Sequence, residues 1–116
     1  MKNMDKGKLT SVNIDYQGGC KRFAGNSELY EKFLKRFSSD QTFNQAMQAF
    51  EKKDAEALYN AIHTLKGVSG NLSIMTLYGL CSRFCEEYKE GNTDNLENIF
   101  KEVASEQEKV IAALKE

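Results

Sequence analysis

The sequence predicts an all-α protein: an antiparallel up-down four-helix bundle with a short additional N-terminal helix or helices. Three observations lead there. The chain contains no proline, so no residue forces a helix to break. Apolar residues recur at three- and four-residue spacing in successive segments. Period-two alternation of β-branched residues, the mark of strands, is scarce. The breaks between segments are short and polar, which favours antiparallel neighbours. A length of 116 residues fits one domain, and a hydrophobic share of 41% is enough to build its core.

The elements follow in order. Residues 1–12 are polar and are expected to form a flexible segment, leaving 13–116 as the bundle domain. A short helix or turn is predicted from about Asn13 to Phe23. Gly25-Asn26-Ser27 is a break, with Ser27 as the candidate N-cap. Leu29, Tyr30, Phe33, Leu34 and Phe37 then form a stripe that ends at Ser38-Ser39-Asp40. Asp40 is the candidate cap of the next segment, which carries Phe43, Ala46, Met47 and Phe50. Lys52-Lys53-Asp54 is a link, and Asp54 is placed to cap a long helix running to about Leu72. Ser73 marks its boundary. Ile74, Leu77, Tyr78, Cys81, Phe84, Cys85 and Tyr88 give the following helix its apolar face, closed by Gly91-Asn92. The last helix presents Leu96, Ile99, Phe100, Val103, Val110, Ile111 and Leu114, with Gln107 interrupting the stripe. Charges such as Glu31, Lys32, Lys35, Glu86, Glu87 and Lys89 read as solvated faces.

Composition narrows the function. Sixteen basic residues against 17 acidic ones, with no basic run, argue against nucleic acid as a partner. No apolar run approaches a membrane span, and the N-terminus lacks the apolar segment of a signal peptide. A cytoplasmic location without membrane insertion is expected. The initial Met1 and a complete-looking bundle favour a free-standing protein over one domain of a hybrid kinase. Three cysteines without a secretion signal point to reduced thiols. Cys81 and Cys85, one turn apart, would need His63 and a fourth ligand to hold a metal. The Cys-x-x-Cys spacing is missing, so no metal site is expected and the cysteines read as small core residues. All the apolar stripes can close on one another within one bundle, which predicts a monomer.

His63 is the one histidine, and it lies on the wrong side of its helix to be core. At roughly 100° per residue, Ala57, Leu58, Ala61, Ile62, Leu65, Val68, Ser69 and Leu72 share one side. His63 points away from them. Gly67 (i+4) and Gly70 (i+7) stack on its face, and Lys66 (i+3) flanks it. A glycine inside a helix costs about 1 kcal/mol relative to alanine, and a solvated face offers no packing reason to accept that. Imidazole is a nucleophile near neutral pH, and its ring nitrogen can take and return a phosphoryl group. Missing side chains beside it let a partner's active site approach. Lys66 can neutralise phosphoryl charge during transfer. Asn60, Thr64 and Asn71 are candidate hydrogen-bonding neighbours. Against this stands the plain alternative that a lone surface histidine is polar surface, and that a helical glycine marks a kink or a close crossing.

At these residues the chain resembles the histidine-containing phosphotransfer (HPt) domain family. His63-Thr64-Leu65-Lys66-Gly67-Val68-Ser69-Gly70-Asn71-Leu72 follows its His-x-Leu-Lys-Gly-x-[small]-x-Asn-[apolar] pattern. The likeness extends upstream through Arg22-Phe23-Ala24-Gly25-Asn26-Ser27-Glu28-Leu29-Tyr30 to Phe37, and downstream from Leu77 to Gly91. The resemblance implies an intermediate in a multistep His–Asp phosphorelay. His63 would take a phosphoryl group through Nε2 from one receiver domain's aspartate and give it to another's. Lys66 would be the phosphate-side lysine and Gly67 the small docking residue, with Gly70 a looser match. Tyr59 and Asn60 join Gly67 and Gly70 as expected docking residues. The implied partners are receiver domains of a hybrid sensor kinase or a response regulator. Magnesium would belong to the receiver, and this chain would need no cofactor and would not itself be an enzyme. Ser73 departs from a common glycine, Ile74 from a small residue, and Cys85 from a frequent acidic one. Two alternatives accompany this reading. One is the phospho-accepting domain of a chemotaxis-type histidine kinase. The other is a helical binding module that uses no phosphorylation.

Overall fold

The structure, a computed structural model, describes residues 4–115. They form seven helices: α1 (Lys6–Ser11), α2 (Tyr16–Arg22), α3 (Ser27–Phe37), α4 (Thr42–Glu51), α5 (Ala55–Asn71), α6 (Met75–Lys89) and α7 (Leu96–Leu114). No strand occurs among the described residues. Helices α4 to α7 make the bundle, each packed on the next. Only residues 52–54 join α4 to α5, and only 72–74 join α5 to α6. Helices in contact through such short links must run antiparallel. Phe100 of α7 stacks on Phe50 and Phe43 of α4, with ring centroids at 4.5 and 5.9 Å, and closes the four helices on themselves. The result is elongated, 43 × 23 × 20 Å.

The helix ends explain the boundaries. Asp54 caps α5 as expected, accepting from the Ala57 amide at 3.1 Å. Two expected caps move by one residue. Asn26, not Ser27, caps α3 and accepts from the Leu29 amide; Ser27 is already helical. Gln41 occupies the cap position of α4, while Asp40 accepts from the Thr42 amide at 2.8 Å just outside it. Ser73 has φ 57°, the left-handed turn that a glycine would adopt without strain. The Ser73 amide bonds to Gly70 O and the Ile74 amide to Ser69 O, the paired bonds of a Schellman ending. That is why α5 stops where it does despite lacking a glycine.

The N-terminal segment corrects an expectation. Residues 6–11, read as part of a flexible segment, form α1, capped by the Asp5 carboxylate on the Gly7 and Lys8 amides. Its one apolar anchor, Leu9, is 1% exposed, and α1 packs on α7. Residues 1–3 of that segment lie outside the described residues. Further on, Ile14 pairs with Ile74 in an isolated antiparallel bridge, with Asp15 N bonding to Ser73 O at 2.9 Å and Met75 N to Asn13 O at 3.1 Å. Tyr30 of α3 is fully buried, and its hydroxyl donates to Leu72 O at 2.7 Å. The N-terminal elements are therefore fastened to the α5–α6 turn, at the end of the histidine helix.

The core matches the predicted stripes except in α3, where Tyr30, Leu34 and Phe37 are buried but Leu29 and Phe33 are exposed. Leu58, Ala61, Ile62, Leu65, Ser69 and Leu72 are buried, with Ala57 and Val68 half-buried at the margin. Ser69 tolerates its place because its hydroxyl donates to Leu65 O at 2.8 Å. Gln107 is buried within the α7 stripe, and its Oε1 has no partner among the described residues.

Candidate functional site

Helix α5 presents His63 to solvent because its apolar stripe faces the other way, against α4 and α6. Three sides of the imidazole differ. Toward the N-terminus of α5 stands an aromatic wall. The Tyr59 ring lies 5.9 Å from the imidazole centroid, tilted by 38°. Tyr88 of α6 stacks on Tyr59 at 4.5 Å and holds it there. Toward the C-terminus lies an open hollow lined by Arg22, His63, Lys66, Gly67, Gly70, Asn71, Met75 and Tyr78. Outward there is solvent.

The hollow thus gathers His63, Lys66, Gly67 and Gly70, the residues singled out in sequence. Tyr59 and Asn60 are not in it; they lie on the wall side. Asn60 is exposed, and its backbone carbonyl accepts from the Thr64 hydroxyl at 3.1 Å. That hydroxyl is turned along the helix rather than toward the hollow. Three lining residues were not singled out. Met75 and Tyr78 come from α6, and Arg22 comes from the end of α2. No signal along α5 points to them, because they are brought in by packing.

The two glycines differ. A Cβ placed on Gly67 would meet nothing within 4 Å, so this position is open. A Cβ on Gly70 would lie 2.9 Å from two carbons of the Tyr78 ring. Gly70 therefore has an intramolecular packing reason, which corrects the expectation that both glycines sit on a face without one. Its absent side chain lets Tyr78 cross close to α5 and form one bank of the hollow.

Behind the site, Cys81 and Cys85 are buried at 0% and 2% exposure. Burial pushes the Cys81 thiol up to about 12; neighbouring Cys85 adds to the shift and the Lys66 charge opposes it. Burial likewise raises Cys85. Both stay protonated near neutral pH and so are poor metal ligands. They face the core while His63 faces water, so the three share no centre. Among the described residues no group of three or more His, Cys, Asp or Glu side chains is placed to hold a metal ion. No helix among them is long and apolar enough to cross a membrane.

An exposed nucleophilic ring, a cation one turn away, an open glycine position and a backing wall suit a group carried on the ring and read by a large partner. Comparison with known proteins bears on this. A family model described as the Hpt domain matches residues 28–116. No curated protein and no solved structure matches the chain.

Proposed function

The chain belongs to the Hpt domain family, and from that premise we propose that His63 is the residue on which it carries a phosphoryl group between receiver-domain aspartates. Hpt domains act as phosphoryl carriers in phosphorelays rather than as catalysts, and they work by meeting receiver domains. The finer assignment rests on one observation above all: the chain's one histidine is exposed beside a position, Gly67, where nothing obstructs an approaching surface.

The chemistry follows from the surroundings. His63 Nε2 attacks the phosphorus of a receiver's aspartyl phosphate. The new P–N bond forms as the P–O bond to the carboxylate breaks, and the carboxylate leaves with its electron pair. The reverse step delivers the group to a second aspartate. Lys66 offsets the charge on the phosphoryl oxygens, which is greatest during transfer. The Tyr59–Tyr88 wall limits where the ring can turn, so the group faces the hollow. The receiver supplies magnesium and the acidic residues that hold it. On this reading the chain is a cytoplasmic monomer, and its partners are receiver domains of a hybrid sensor kinase or a response regulator.

The test is transfer from a radiolabelled phospho-receiver to the native chain and to His63→Gln. The expected result is an acid-labile, base-stable label on the native chain alone. Equal labelling of the variant would remove His63 from the reaction.

A further inference from the structure

The hollow beside His63 receives one charged residue from outside the bundle. Arg22 ends α2 and precedes the family-matched region, which begins at residue 28. Its Nε donates to Ser73 Oγ at 3.3 Å. Ser73 is buried in the left-handed turn that ends the histidine helix, so the arginine is moored to that helix's own terminus. The terminal guanidinium nitrogens have no hydrogen-bond partner among the described residues. The lining of the hollow holds two cations, Arg22 and Lys66, and no carboxylate. Neither cation forms an ion pair among the described residues.

Two unpaired cations on one hollow repel each other, and an anion placed between them relieves that repulsion. The anion that the proposed activity brings there is the phosphoryl group. We infer that Arg22 supplies a second positive charge, beside Lys66, to the phosphoryl group carried by His63. This rests on the reading of His63 as the carrier. Guanidinium suits the role: it keeps its charge at any relevant pH, and its planar fork fits phosphoryl oxygens. Ser73 holds the arginine when the ring is bare. In this chain, then, the N-terminal helices contribute to the field at the site as well as packing against the bundle.

The test needs no receiver protein. Phosphoramidate labels an accessible histidine directly. Nε2 forms the new P–N bond, the bond to the amine breaks, and ammonia leaves as ammonium with the ring proton. The midpoint of the ³¹P shift titration is then compared for the native chain and for Arg22→Gln, Arg22→Lys and His63→Gln. A nearby cation favours the deprotonated form and lowers the midpoint. Arg22→Gln keeps a donor for Ser73 but removes the charge. It should raise the midpoint by about 0.3 pH units or more at low salt, and roughly 0.5 M salt should shrink the difference. Arg22→Lys should stay near native. A purely structural role for Arg22 would move the melting temperature but not this midpoint. A phosphohistidine signal in Arg22→Gln with the native midpoint would overturn the inference and leave His63 as the carrier. Absence of any signal from the native chain, with a control histidine protein labelled alongside, would overturn both.

Discussion

Gly67 and Gly70 lie one turn apart on the same face of α5, yet they answer to different neighbours. Around Gly67 there is open space; against Gly70 lies the Tyr78 ring of α6. Along the sequence the two are the same signal, a glycine placed in a helix at some expense of propensity. In space one is a clearing on the outside and the other is a seam between helices. A glycine on a solvent face is therefore informative about a partner only after its own protein's side chains have been placed around it.

The comparison can be broken in four ways, once through phosphoryl transfer and then three times through stability, from the largest expected loss to the smallest. Gly67→Gln should reduce phosphoryl transfer from a receiver by about tenfold or more, equivalent to ~1.4 kcal/mol of barrier. Its melting temperature should stay near native. Normal transfer in that variant would mean the clearing is not used. Gly19→Ala gives the extreme of the seam kind. A Cβ there would fall 2.1 Å from the ring of Tyr30, which is fully buried and hydrogen-bonded to Leu72 O. Chemical denaturation should show a loss of about 3 kcal/mol; an unchanged midpoint would show that the α2–α3 junction yields freely.

Gly70→Ala is milder because Tyr78 is only half-buried and its ring can shift. A loss of about 1 kcal/mol is expected in the native background. In a Tyr78→Ala background the same change should turn stabilising, by up to ~1 kcal/mol of recovered helix propensity. A double-mutant cycle measures the reversal, and additive effects would disprove the seam. Smallest is Gly67→Ala, which meets no neighbour and should stabilise the fold by up to ~1 kcal/mol in a thermal melt. A decrease there would reveal a contact that the open geometry does not contain.

What could be read in advance follows the same division. The bundle helices were legible because each carries a long apolar stripe, and Asp54 was legible as a cap because side-chain capping is local. His63, Lys66 and Gly67 were legible as a group because one helix fixes their spacing. Apart from the caps of α3 and α4, each displaced by one residue, the failures depend on another element. Helix α1 has a local cap at Asp5 but a single apolar anchor, Leu9, and no periodicity, so its docking on α7 is what holds it. Tyr78 and Arg22 reach the site from α6 and α2, and nothing in α5 encodes their arrival. Ser73 was recognised as a boundary, but its left-handed turn is evident only from the paired bonds that close α5.

The bridge between Ile14 and Ile74 has a kinetic consequence. The bundle helices meet through links of a few residues, so their contacts form quickly. The bridge must close a loop that encloses α2 through α5, and such distant contacts form late because the closure entropy comes before the reward. The amides of Asp15 and Met75, which bond across it, should gain protection later than those inside α5 and α6 in a refolding pulse-labelling experiment. The histidine helix would then be assembled while its terminal turn is still unfastened.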